Sequence, residues 1–169
     1  MWLDSRDATI YVAGHRGMVG QAVCRRLEAD GYDWIGRTSR EVDLRDQTET
    51  QSFFEEARPD FVVLAAATVG GILANDTYPA DFFYNNTAIA TNVIQAAHET
   101  DVDRLIFLGS SCIYPKHAPQ PMREEHLLTG PLEPTNQWYA VAKIAGHKLC
   151  EAMHRQHGDD MVTLMPTNL

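Results

Sequence analysis

Residues Thr9 to Leu27 constrain this chain more than any other stretch. Thr9-Ile-Tyr-Val-Ala13 is β-branched, aromatic and apolar, and it is as short as a buried strand should be. Gly14-His-Arg-Gly-Met-Val-Gly20 follows. Beyond it Val19, Ala22, Val23 and Leu27 recur at helical spacing, with Arg25, Arg26 and Glu28 on the opposite face. Strand, glycine turn and helix form the phosphate-binding opening of a doubly wound α/β domain. The glycines allow a tight turn, a close approach by pyrophosphate and near packing of helix on strand. The free N–H groups and positive end of the helix then favour an anion. Gly14, Gly17 and Gly20 are spaced G-x-x-G-x-x-G rather than G-x-G-x-x-G. Taken alone, that spacing also describes an ordinary strand-to-helix turn; the flanking elements point to a nucleotide.

A chain of 169 residues has room for one domain with a real core. Its net charge of −9 disfavours nucleic acid or an anionic membrane as a partner, since either selects a basic face. No apolar run has spanning length, and Met1 to Asp7 has no basic-then-apolar leader. Cys24, Cys112 and Cys150 are odd in number and lack metal spacing. They read as reduced thiols in a cytoplasmic protein with no metal site.

In chain order, Tyr32 to Gly36 predicts a second strand and Val42 to Leu44 a short strand edge. Asp46 is placed to cap a helix over Gln47 to Ala57 that buries Phe53, Phe54 and Ala57. Phe61 to Ala67 is a continuous apolar run, as a central parallel strand requires, and its terminal alanines leave space for a ligand. Val69-Gly-Gly-Ile72 reads as a flexible turn. A helix from Pro79 to Glu99 buries Phe82, Phe83, Ala90, Val93, Ile94 and Ala97. Arg104 to Leu108 is the next strand, followed by a proline-rich loop from Pro115 to Pro134. A helix from Gln137 to His157 and a strand from Met161 to Met165 complete the series. The expected architecture is one α/β domain over residues 1–169, a doubly wound parallel sheet of Rossmann type.

Two groups of residues carry chemistry. The first is Arg37-Thr-Ser-Arg40, where a nucleotide-binding sheet meets the adenosine ribose. Two arginines flank Ser39 where a NAD-selective site would be acidic. That favours a 2′-phosphate, hence NADP, with Arg16 as a further charge; a solvated basic loop is the other reading. The second group is Tyr139 and Lys143, one turn apart on a helix. A phenol of pKa near 10 needs about 4 kcal/mol of anion stabilisation to act near pH 7, and an ammonium with an oxidised nicotinamide could supply it. Ser110 could hydrogen-bond the same carbonyl oxygen.

The order Gly14-x-x-Gly17-x-x-Gly20, Ser110, Tyr139-x-x-x-Lys143 resembles the extended short-chain dehydrogenase/reductase superfamily. More closely, the chain resembles the GDP-L-fucose synthases. The stretches that carry this are Ala13 to Gly20, Val69 to Ile72, Tyr78 to Asp81, Gly109 to Pro115, Leu132 to Asn136 and Met165 to Leu169. The resemblance implies an NADPH-dependent epimerase and reductase acting on GDP-4-keto-6-deoxy-D-mannose. It places cofactor contacts on Gly14, His15, Arg16, Gly17, Met18, Val19 and Gly20. Further contacts fall on Ser39, Arg40, Leu44, Leu108, Gly109, Ser110, Ser111, Lys143, Pro166, Thr167, Asn168 and Leu169. Ser110, Tyr139 and Lys143 match the reductive triad, and Cys112 the epimerising acid–base, whereas from the residues alone Cys112 reads as a small buried filler.

The resemblance covers about the first half of the family's length. The histidine that partners the cysteine and the residues that grip the sugar nucleotide lie beyond the point matching Leu169. A truncated chain lacking its substrate domain, and catalytically silent alone, is the expectation. Relatives often have a basic residue at Ser39 and a lysine at Thr68. They pair through their two long helices, so a homodimer is expected of the full-length form, with Ile89 or Trp138 either as exposed apolar contacts or as scattered surface residues. Another nucleotide-sugar epimerase or dehydratase of this superfamily is an alternative, though those usually have Thr or Ser near Cys112. A non-catalytic NADP-binding module is a third reading, disfavoured by the presence of Ser110, Tyr139 and Lys143.

Overall fold

A computed structural model of the chain describes residues 8–167. The opening segment Met1 to Asp7, and Asn168 and Leu169, lie outside the described residues. Five strands form one parallel sheet: β1 (Ile10–Ala13), β2 (Trp34–Ile35), β3 (Phe61–Leu64), β4 (Arg104–Leu108) and β5 (Met161–Leu164). Their order is β2-β1-β3-β4-β5, so the chain reverses its winding between β1 and β3. A crevice opens at such a reversal, outside the carboxyl ends of the strands.

The helices are α1 (Met18–Asp30), α2 (Gln47–Ala57), α3 (Ile72–Thr77), α4 (Pro79–Glu99) and α5 (Gln137–His157). Asp46 caps α2 as expected, its side chain accepting from Glu49 N–H at 2.9 Å. Proline opens α4 at its first turn, and Gly158 ends α5 in the left-handed conformation.

Alternation along the strands divides the sheet into two faces. Tyr11 and Ala13, Val62 and Leu64, and Leu105 and Phe107 point into one large core with Phe53 and Phe54 of α2, Val93 and Ile94 of α4, and Cys150 and Met153 of α5. Ile10 and Val12 point the other way, into a smaller cluster with Cys24, Val23 and Leu27 of α1.

Five expectations need correction. Val42 to Leu44 is not a strand, because Glu41 N–H and Val42 N–H both bond to Thr38 C=O and Asp46 N–H bonds to Asp43 C=O. These turn bonds occupy groups a ladder would need. The second strand shrinks to Trp34–Ile35, Tyr32 N–H being held by Leu27 C=O at the end of α1. Ile72 opens the short helix α3 rather than closing a flexible turn. Phe83 is exposed on α4, whereas Ile89 is half-buried and cannot serve as an exposed contact. No helix among the described residues is long and apolar enough to cross a membrane.

Candidate functional site

The end of β1 and the end of β3 meet at the sheet's reversal, and Gly14 is the contact. Its φ is +83°, and a Cβ there would stand 2.6 Å from Ala66 N, so no side chain fits. Gly20 does the same for the helix: a Cβ would lie 2.1 Å from Gly14 O. Gly17 N–H donates to Gly14 O at 2.9 Å, closing the turn. Gly17 caps α1 with no side-chain bond, and the first turn carries no acid. The helix therefore presents free N–H groups and its positive end to the crevice.

The crevice is a cavity of about 840 Å³. Gly14, His15, Arg16, Gly17, Met18, Val19 and Gly20 line one side. Arg37, Thr38, Ser39, Arg40, Val42, Asp43, Leu44 and Arg45 line another, and Ala65 to Val69 with Ile89 close it. Arg16, Arg37 and Arg40 thus come to one cavity from two separate loops, as the ribose phosphate reading needs. The Asp43 carboxyl lies below the usual range because Arg45 donates to both its oxygens, at 2.8 and 2.6 Å. Asn86 pins the β3 exit: its Oδ1 accepts from Thr68 N–H and its Nδ2 donates to Thr68 O, each at 2.9 Å. Reasoning from sequence did not name Thr38, Val42, Asp43, Arg45, Ala65 to Val69 or Ile89 individually as site residues. The small side chains at the end of the third strand were the signal that marked part of this wall.

A second group sits at the carboxyl end of β4. Lys143 is 4 % exposed, and its Nζ donates to Leu108 O at 2.7 Å. The amine stands 5.7 Å from the Tyr139 ring centroid. Ser110 Oγ accepts a long bond from Cys112 N–H at 3.4 Å, at the start of a 3₁₀ turn over Ser111–Ile113. Gly109 N–H donates to Leu164 O and Ser111 N–H to Pro166 O, tying this corner to the exit of β5. Ser110, Cys112, Tyr139 and Lys143 are thereby gathered with Leu108, Gly109, Ser111 and Pro166. Thr167 is exposed beyond them.

Burial controls protonation here. It lowers the Lys143 amine to about 8, partly countered by Cys112. It raises the Tyr139 phenol to about 12, with the Cys112 charge adding to the rise. The Lys143 amine does not by itself bring the phenol down: burial prevails, and the phenol keeps its proton at neutral pH. Burial likewise raises the Cys112 thiol, against the lowering effects of Ser110 and Lys143. Among the described residues no cluster of His, Cys, Asp or Glu is arranged to hold a metal ion.

Fold and crevice define the class: an α/β dinucleotide-binding domain of the extended short-chain dehydrogenase/reductase kind. The chain belongs to the NAD dependent epimerase/dehydratase family, whose profile matches residues 10–169. It is 58% identical over 161 residues to GDP-L-fucose synthase of Escherichia coli, covering 95% of this chain and 50% of that one. With GDP-L-fucose synthase 1 of Arabidopsis thaliana it shares 55% identity over 168 residues, 99% of this chain and 52% of the other. Among solved structures, a GDP-D-glycero-L-gluco-heptose synthase from Campylobacter jejuni with NADPH superimposes at a TM-score of 0.95, with 36% identity. That match covers 98% of this chain and 49% of the other. A GDP-L-fucose synthetase from Naegleria fowleri bound to NADP gives 0.85 and 29% identity, covering 97% and 55%. The chain spans about half the length of the curated relatives it matches.

Proposed function

We propose that this chain is the NADP-binding part of an enzyme that epimerises and reduces GDP-4-keto-6-deoxy-D-mannose to GDP-L-fucose. The observation that carries this reading is the buried Lys143 of α5, tethered to Leu108 O beside Tyr139, against the sheet whose crevice fits a dinucleotide. The free N–H groups of α1 suit a pyrophosphate, and Arg16, Arg37 and Arg40 suit a ribose 2′-phosphate. NADPH supplies a hydride when bound. The protein's part is to manage protons. Tyr139, holding its proton at neutral pH, donates it to the carbonyl oxygen as that oxygen gains charge. Ser110 donates a hydrogen bond to the same oxygen. Lys143 fixes α5 against β4 and places a positive charge near the reacting oxygen. Cys112 exchanges the protons next to the ketone, and the Lys143 charge favours its thiolate.

Pairing of two copies through α4 and α5 belongs to the same proposal, supported by exposed Phe83, Tyr84, Trp138 and Val141 on those helices.

Calorimetry on the chain tests the cofactor. NADPH should bind at least about tenfold more tightly than NADH, since each charge-assisted contact contributes roughly 1.5–3 kcal/mol. Arg16→Ala with Arg40→Ala should abolish that preference; equal affinities in the unsubstituted chain would rule the reading out. A fusion to the second half of the Escherichia coli relative tests the chemistry. Tyr139→Phe should stop NADPH oxidation while solvent deuterium still enters C3 and C5. Cys112→Ser should stop that exchange, and exchange at the unsubstituted rate would remove the thiol from the mechanism.

A further inference from the structure

The end of β2 is where a doubly wound site chooses its cofactor. A carboxylate there hydrogen-bonds the ribose 2′-hydroxyl of NAD, whereas a nearby arginine takes the 2′-phosphate of NADP. In this chain the residue after Ile35 is Gly36, and the imidazole of His15 lies over it. A Cβ on Gly36 would stand 2.5 Å from His15 Nδ1 and 2.6 Å from Cγ, well inside any real contact. On another side the ring meets Trp34, centroids 5.7 Å apart, and Trp34 Nε1 donates to Glu28 Oε1 at 3.0 Å. Among the described residues His15 Nδ1 is buried without a hydrogen-bond partner, and packing seats that edge of the ring. The backbone bearing it has little room to yield, because Gly14 is pressed against Ala66 and Gly20 against Gly14.

We propose that His15 is a cofactor-specificity residue that acts by exclusion. This rests on the NADPH reading above and deepens it. The imidazole fills the space that a side chain at position 36 would need, so the site cannot present a carboxylate to a ribose 2′-hydroxyl from there. The acid that does line the cavity, Asp43, is engaged by Arg45 on both oxygens. Arginine recognition of a 2′-phosphate and steric refusal of its NAD-selective counterpart are thus built into the same corner.

The test is a double-substitution cycle on the chain, read by calorimetry with NADPH and NADH and by thermal melting. Gly36→Asp alone should weaken NADPH at least about tenfold and gain nothing for NADH. Adding His15→Ala should open the space and raise NADH affinity at least about tenfold above Gly36→Asp alone, inverting the preference. In melting, Gly36→Ala should lower Tm, and His15→Ala in the same chain should recover part of that loss. The proposal is overturned if Gly36→Asp gains NADH affinity equally with His15 present or absent. It is also overturned if the double substitution gains none, or if melting shows no coupling between positions 15 and 36. An unsubstituted chain that bound neither dinucleotide would sink the NADPH reading and the specificity claim with it. The melting cycle would still report whether His15 and a side chain at 36 exclude each other.

Discussion

Lys143 places an amine where solvent cannot reach it, and the consequence is a dependence of stability on pH. Its folded pKa is about 8 against an ordinary 10.5, with burial the main cause. Between those values the unfolded chain holds a proton that the native chain has released, so this group makes stability rise with pH across that window. The full span is worth about 3 kcal/mol. Cys112 works in the opposite sense, since its raised thiol keeps a proton that the unfolded chain loses. Comparing the chain with Lys143→Met isolates the lysine. The variant's stability relative to the parent should decline by up to about 3 kcal/mol from pH 7 to pH 10 in urea titrations. Parallel profiles would show that the amine is not held down. Sequence spacing could put Tyr139 and Lys143 on one face of a helix, but not reveal how deeply each is buried. The sign of the phenol's shift within the folded chain was therefore illegible, since it follows from a depth of burial that spacing does not report.

Helix ends were legible where a single residue type decides them. Asp46 caps α2 and Pro79 opens α4, each at the expected residue. The helix α3 escaped notice because it is six residues long and begins with Ile72 and Leu73, which are 70% and 80% exposed and give no amphipathic stripe. Val42 to Leu44 misled in the opposite direction: its apolar-polar-apolar pattern matches a strand, yet local turn bonds take the N–H groups of Val42 itself and of Glu41 and Asp46. The element that carries the candidate chemistry, α5, lies close to the sheet at Gly146. A Cβ there would stand 2.6 Å from Phe107 Cζ and 3.1 Å from Ala90 Cβ, both in buried side chains. In an exposed helix, Gly→Ala stabilises by up to about 1 kcal/mol. Here Gly146→Ala should instead destabilise by about 1–2 kcal/mol through overpacking, measured by the urea midpoint. A stabilised variant would mean that Phe107 yields freely and that α5 has slack against β4.

At the scale of the whole molecule, the parallel winding followed from alternating strands and helices, and the crevice from winding rules that place ligands at a reversal. The union of Arg16 with Arg37 and Arg40 in one cavity depends on the two loops meeting across β1 and β2, which no local pattern reports. The sheet's unequal faces have a further consequence. The large core joins α2, α4 and α5, while α1 closes a small cluster built on Ile10, Val12 and Cys24. Amide protons report such imbalance directly, since segments with fewer buried contacts open at lower free energy. Backbone amides from Cys24 to Leu27 should exchange with deuterated solvent sooner than those from Val93 to Ala97. A dinucleotide seated on the first turn of α1 would be linked to that weaker side, so saturating NADPH should slow exchange in α1 more than in α4. Uniform slowing across both helices would mean that α1 opens only when the entire domain does.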